Sequence, residues 1–134
     1  MKEINYETVL FNRAQGMLKA HGIVAIVFGA LGVLGFLVGL LFVVQIAIFA
    51  QLADAVGAIA LAAVAFVLFT VPHVYLIIAG AQLVRTPTPR LAKTLVIINL
   101  VIGVFWNYVL LILAIINLTQ IGDYARHYKK STPK

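Results

Sequence analysis

Residues 95–118 read LVIINLVIGVFWNYVLLILAIINL, and the fold depends on whether this stretch crosses a membrane once or turns back on itself. The stretch has no charged residue, an Asn near each end and Trp106-Asn107-Tyr108 in the middle. A single helix over it would be about 36 Å long, enough to cross about 30 Å of hydrocarbon. Two shorter helices would need a turn at its centre, where Gly103 and Asn107 tolerate the backbone conformations of a tight reversal.

The composition around this stretch indicates a membrane protein. Hydrophobic residues make up 63% of the 134 residues and charged residues only 10%. A soluble domain has about 25% charged residues. Apolar runs cover 22–84 and 91–118, and both are longer than the roughly 20 residues that one transmembrane helix needs. We therefore expect an all-α, polytopic membrane helix bundle that forms a single transmembrane domain over 22–118.

The first apolar run is long enough for two helices. Its polar and flexible residues cluster around 51–55, so we predict a loop there and spans over about 22–46 and 57–83. Pro72 removes one backbone hydrogen bond and should kink the second span. The motif RTPTPR at 85–90 disfavours helix and predicts a short extended connector.

The N-terminal segment, 1–21, has a different pattern. Its apolar residues recur at helical spacing, with polar residues mostly on the other face. We expect an amphipathic helix that lies in the membrane interface. The alternative is that this segment simply extends the first span into water.

The distribution of positive charge separates a four-helix fold from a three-span alternative. All ten Lys and Arg lie in three segments: residues 2–19, residues 85–93, and the basic tail at 122–134. Three spans would divide them six to four across the membrane, whereas four spans place all ten on one side. Because cytoplasmic loops carry the excess of Lys and Arg, we expect two long and two short helices, the short ones over about 90–104 and 107–121. Both termini would then be cytoplasmic.

The single-helix reading of 95–118 has its own support. The motif IINL occurs at 97–100 and at 115–118, and an interval of 18 residues is five helical turns. One straight helix would therefore carry Asn99 and Asn117 on the same face.

Small residues form stripes that predict close helix packing. In lipid, Gly and Ala allow helix backbones to approach each other closely. We expect the stripe of the first span to meet that of the second span, or that of a second copy. The residues are Gly22, Ala25, Gly29, Gly32, Gly35 and Gly39 in the first span and Ala58, Ala62 and Ala65 in the second.

Polar side chains within the spans are the remaining functional candidates. They are His73, Asn99, Asn107 and Asn117, and each is expected either to hydrogen-bond within the bundle or to line a path for a substrate. His73 follows Pro72, whose kink frees a carbonyl near residue 68, and we expect a bond from this histidine to a neighbouring helix. His21, next to Lys19, is expected to be an interfacial residue.

The order of features resembles small, uncharacterised four-helix integral membrane proteins of bacteria. The resemblance covers about 18–128 and rests on LKAHGIVAIVFGALG, YLIIAGAQLVR, RLAKTLVIINLVIG and YVLLILAIINL. Such proteins commonly have a Pro/Gly-Thr turn between their last two helices, where this sequence has GVFWN. The resemblance implies a four-helix fold and no particular activity.

The residues favour a non-enzymatic role. The chain has no cysteine, and neither a metal-ligand cluster nor a nucleophile–base pair is visible, so we expect no catalytic residue, no metal and no cofactor. We expect a structural, accessory or assembly protein that self-associates or packs with a membrane partner, and no binding of nucleic acid. The basic tail could contact anionic lipid. The alternatives are a small oligomeric channel or transporter and a holin-like pore.

Overall fold

A computed structural model describes residues 6–49 and 55–131 of the chain. They form four α-helices: α1 (Tyr6–Phe49), α2 (Ala55–Val84), α3 (Pro89–Trp106) and α4 (Tyr108–Ser131). Each is long and apolar enough to cross a membrane. The prediction of an all-helical, four-helix chain is confirmed. The loop predicted around 51–55 falls mainly on residues outside the described ranges.

The stretch that opened the question, 95–118, forms two helices. The single-helix alternative is wrong because Asn107 adopts an extended conformation, with φ −156° and ψ 103°, between α3 and α4. Its side-chain oxygen accepts hydrogen bonds from the backbone N–H groups of Val109 at 2.9 Å and Leu110 at 3.3 Å. Asn107 therefore caps the start of α4, where the first N–H groups have no partner inside the helix.

Gly103 makes the turn at Asn107 compact. A Cβ atom at this position would lie only 2.6 Å from the backbone nitrogen of Leu111. Any larger residue would push α3 and α4 apart just below the turn. The GVFWN segment therefore works as a tight helix–helix reversal through one small residue and one capping amide.

The first helix is a single continuous element. Residues 6–49 form one helix without a break near residue 21, so the structure does not confirm a separate N-terminal interfacial helix. The first turns of α1 instead pack against the end of α4. The ring of Phe11 stacks on that of Tyr124, with 5.4 Å between their centroids.

Helices α1 and α2 form a hairpin held by close backbone approach. A Cβ atom added at Gly22 would lie 2.6 Å from the carbonyl oxygen of Gly80, and one added at Gly29 would lie 2.6 Å from that of His73. These two glycines and Gly80 form the tight contact in the half of the hairpin that α3 and α4 also contact. The closest contacts of the predicted glycine stripe are thus with residues 73–84 of α2, while Ala62 and Ala65 of the predicted alanine stripe face Gly35 and Gly39 across an open groove.

Helices α3 and α4 form a second, shorter hairpin against the first turns of α1 and the end of α2. The core between the hairpins is apolar apart from a few polar groups, and its buried members include Leu18, Leu83, Val96 and Ala114. At the end where Arg85–Thr88 connects α2 to α3, the hydroxyl of Tyr124 donates to the carbonyl oxygen of Pro87 at 2.7 Å. Tyr124 is only 1% exposed, so this bond ties the connector to α4.

The two hairpins end at different heights. Trp106, at the tip of the second hairpin, lies beside Phe69 of α2, with 6.2 Å between ring centroids. Phe69 stacks on Phe36 of α1 at 5.5 Å. From that level α1 and α2 each continue for about 20 Å at a rise of 1.5 Å per residue. Beyond the tip of the second hairpin, the first hairpin is therefore covered by no other described helix.

Candidate functional site

A buried histidine joins three of the four helices. His21 of α1 is completely buried, as is Asn99 of α3, and Asn117 of α4 is 1% exposed. The amide nitrogen of Asn99 lies 3.1 Å from Nε2 of His21, and that of Asn117 lies 3.2 Å from Nδ1. Both nitrogens of one imidazole ring therefore contact asparagines from two different helices. We call these three residues the His21 cluster.

The hydrogen bonds of the cluster specify a neutral tautomer. A neutral imidazole has one N–H donor and one acceptor nitrogen, so only one of the two asparagines can donate to it. Asn117 also donates to the carbonyl oxygen of Leu113 at 2.8 Å, which fixes its amide nitrogen as the donor to Nδ1 of His21. Nε2 then carries the proton and donates to the side-chain oxygen of Asn99, after the amide group is turned by 180°. This assignment gives that oxygen, otherwise unpartnered among the described residues, a donor.

Regular helical spacing places the two asparagines on the buried faces of α3 and α4. Asn99 belongs to the buried face of α3 with Ala92, Val96 and Gly103. Asn117 belongs to the buried face of α4 with Leu110, Ala114 and Tyr124. Because the turn at Asn107 makes the two helices antiparallel, the two copies of IINL face each other across His21.

The prediction that His21 is an interfacial residue did not include its two buried hydrogen-bonding partners. The residue lies near the first basic segment, as its neighbour Lys19 suggested, but its ring is buried inside the protein. The signal in the sequence was the repeated IINL itself. Two asparagines at similar distances from a turn, here 8 residues before and 10 residues after Asn107, come to nearly the same level of an antiparallel pair, and buried amides need hydrogen-bonding partners.

His73 is not part of the cluster. Its Nδ1 atom contacts the carbonyl oxygen of Phe69, one turn earlier in the same helix, and its ring covers Gly32 of α1. The expected bond to a neighbouring helix is therefore replaced by a bond within α2. The ring of His73 occupies the space that a side chain at residue 32 would fill, so Gly32 is part of the packing between α1 and α2.

The outer part of the glycine stripe is open. No atom outside its own helix lies within 4 Å of a Cβ atom placed at Gly35 or Gly39. Both glycines line a groove of about 280 Å³ whose other wall includes Ala62 and Ala65. A second groove of about 360 Å³ runs beside Ala47, Ala62 and Val67. Ala25 is completely buried in the core, whereas Ala58 is half-buried.

The described residues contain no cluster of His, Cys, Asp or Glu that could hold a metal ion. No family model, curated protein sequence or solved structure matches the chain. The resemblance to small bacterial four-helix membrane proteins therefore stays a prediction from the sequence. The His21 cluster and the two grooves are the features of the chain itself from which a function can be argued.

Proposed function

We propose that this chain is a multi-pass protein of a bacterial inner membrane with a structural or assembly role, and that it acts by associating with a second copy of itself. Both termini lie in the cytoplasm in this proposal. Two antiparallel hairpins support that topology, because they bring residues 13, 19, 85, 90, 93, 126 and 129, all Lys or Arg, to the same end of the bundle. Cytoplasmic anionic lipid would favour this end by about 1 kcal/mol per basic residue near the surface.

The main support for self-association is that only part of the glycine stripe of α1 packs against α2. The close contact between α1 and α2 involves Gly22, Gly29 and Gly32. Gly35 and Gly39 continue the same spacing, but a Cβ atom placed at either position would meet no atom within 4 Å. Since Gly in a helix costs about 1 kcal/mol relative to Ala, two open glycines on a lipid-facing groove need a compensating contact. Close approach of another helix is the contact that small residues favour in membranes.

A second copy fits this groove for a geometric reason. Two copies in the same membrane and orientation place Gly35 and Gly39 at the same depth, as a two-fold symmetric interface requires. The part of the first hairpin that lies above Trp106 is free of α3 and α4, so a copy can approach it without displacing a helix. The exposed apolar side chain of Val43, 44% exposed, also lines the groove.

Cysteine crosslinking in membranes tests this association directly, because the chain has no cysteine of its own. A Gly39→Cys variant should form a disulfide-linked dimer under mild oxidation, while Gly16→Cys should not. Gly16 is the matched control: it is equally free of neighbours within 4 Å but belongs to the basic end of α1. A Gly35→Leu substitution should abolish the dimer without unfolding the monomer. Equal crosslinking at residues 16 and 39 would refute the proposed interface.

We do not extend the proposal to a channel, a transporter or a holin-like pore. The asparagines that could have lined a path have other roles, since Asn99 and Asn117 are buried around His21 and Asn107 caps α4. No described feature favours a pore over a packed bundle. The proposed role is likewise non-enzymatic, because the His21 cluster has neither a nucleophile nor access to a substrate.

A further inference from the structure

We infer that this protein locally thins the lipid bilayer on the side of its second hairpin, so that water and lipid headgroups of the outer face reach the turn at Asn107. The inference rests on the proposed insertion in a membrane with both termini cytoplasmic. The observation behind it is that the apolar parts of the two hairpins differ in height by about 25 Å. The partner in question is therefore the lipid bilayer itself.

The cytoplasmic limit of both hairpins is set by charge. Lys19 of α1, Arg85 after α2 and Lys93 of α3 are the basic residues nearest to the apolar segments. The His21 cluster lies two residues beyond Lys19 and bonds α1 to α3 and α4 at one level. Since His21 lies two residues beyond Lys19 and Asn99 lies six residues beyond Lys93, the two apolar segments start within about 6 Å of the same plane.

From this plane the two hairpins reach different heights. Trp106 lies about 20 Å above Lys93 along α3, whereas Phe49 lies about 45 Å above Lys19 along α1. The hydrocarbon core of a typical bilayer is about 30 Å thick. One hairpin is thus too short for the bilayer by about 10 Å, and the other is too long by about 15 Å.

Tilting cannot satisfy both hairpins. A tilt that brings the long hairpin within the hydrocarbon also lowers the tip of the short one. The end of the long hairpin cannot instead extend into water, since its side chains are large, apolar and exposed: Ile46 is 62%, Ile48 68% and Phe49 86% exposed. A long apolar segment tilts or thickens the bilayer around it, and a short one thins it. Because the two hairpins are joined by the His21 cluster, the bilayer has to adjust around the second hairpin.

The chemistry of the short hairpin's tip favours thinning over a dry tip inside the hydrocarbon. The last carbonyl groups of α3 have no partner within the helix. In hydrocarbon such groups would lack hydrogen bonds at high cost, whereas headgroups or water satisfy them. The tip also carries Trp106 and Tyr108, 45% and 77% exposed, and these residue types concentrate at membrane–water interfaces. Lipid headgroups drawn down to this tip satisfy the carbonyls and the aromatic residues together.

The fluorescence of Trp106 provides the first test, because it is the only tryptophan. The wild-type protein is reconstituted in phosphatidylcholine vesicles, and the fraction inserted in each orientation is determined. Iodide added to the aqueous phase then quenches the indole of Trp106. Two variants in a Trp106→Phe background supply the scale: Val56→Trp near the start of α2, and Leu34→Trp at the depth of the tip but on the long hairpin. Thinning predicts that iodide quenches Trp106 nearly as well as a tryptophan at residue 56. Quenching as weak as at residue 34, with the strongest quenching by lipids brominated deep in their acyl chains, would overturn it.

Labelling of single cysteines in intact cells separates failure of the thinning from failure of the topology. A membrane-impermeant maleimide should label Val56→Cys and Tyr108→Cys from outside and should spare Leu34→Cys. Gly16→Cys should react only after the membrane is permeabilised. If Val56→Cys reacts and Tyr108→Cys does not, the topology stands and the thinning is wrong. If Gly16→Cys reacts in intact cells, the proposed orientation itself is wrong.

Discussion

The two hairpins of this protein are stabilised by different kinds of contact. Between α1 and α2 the contact is steric: glycines let two backbones approach until a single methyl group would collide with a carbonyl oxygen. The second hairpin depends on specific polar groups, with Asn107 capping its turn and Asn99 and Asn117 bonding to His21. The first hairpin is thus specified by small side chains, and the second by hydrogen-bonding groups together with one small residue, Gly103, at its turn.

This difference has a physical reason in lipid. Hydrophobic burial does not drive membrane helices together, so association depends on packing and on hydrogen bonds. The long hairpin has enough length to associate by packing alone. The short hairpin has little more than half the length and gains its position from hydrogen bonds at fixed levels. Substitutions should therefore affect the two hairpins by different mechanisms.

The largest effect is expected at Gly29. A Gly29→Leu substitution places a side chain against the carbonyl oxygen of His73 and the side chain of Ile77. Overpacking of this kind should cost about 3 kcal/mol, seen as a lower unfolding temperature in detergent. Gly16→Leu is the control, since that position is equally open and lies outside the proposed interface. Equal unfolding temperatures for the two variants would contradict the tight contact.

A smaller loss is expected from His21→Leu. The substitution leaves the amides of Asn99 and Asn117 buried without the ring, which should cost about 2 kcal/mol of unfolding free energy. Replacing all three residues by Leu should recover much of this loss, because no polar group is then stranded. Thermal unfolding of the single and triple variants makes the comparison. A triple variant less stable than His21→Leu would argue against the cluster as assigned.

Removal of the Asn107 cap at the turn should lower the unfolding free energy by less than His21→Leu does. Asn107→Ala deprives the first N–H groups of α4 of their acceptor, for a loss of about 1 kcal/mol. Asn107→Asp or Asn107→Ser should retain most of the wild-type stability, since both side chains accept the same hydrogen bonds. Circular dichroism during thermal unfolding provides the measurement. If alanine and serine behave alike, the side-chain oxygen is not what shapes the turn.

The smallest effect concerns the connector between the hairpins. Tyr124→Phe removes the donor to the buried carbonyl oxygen of Pro87 and should cost about 1 kcal/mol or less. Tyr108→Phe is the matched control, because Tyr108 is 77% exposed. Unfolding temperatures measured side by side should differ for residue 124 only. A loss at residue 108 alone would show that the tip, and not the connector, depends on its hydroxyl.

Much of the fold was predictable because its signals are local or additive. Length and hydropathy identify the apolar segments, and the charge distribution favoured a reversal between residues 95 and 118. Asn107 is a capping residue whose preference for helix starts is a property of its own side chain. The position of the turn could therefore be predicted within a few residues.

The contacts between helices were less predictable. The glycine stripe was recognised, but the part of α2 that it contacts most closely was not, because hydropathy does not fix the relative rotation of two apolar helices. His21 was missed for a related reason: its role depends on two residues 78 and 96 positions away, brought to one level only by the turn at Asn107. His73 was overvalued, since its hydrogen bond is satisfied within its own helix.

Sidedness of the C-terminus tests the central claim, that both hairpins start and end on one side of the membrane. A fluorescent protein that folds only in the cytoplasm and an alkaline phosphatase that is active only outside it can each be fused after Lys134. The account predicts a fluorescent fusion and an inactive phosphatase, with the opposite pair of results for fusions placed after Leu52. An active phosphatase at residue 134 would contradict the two-hairpin account.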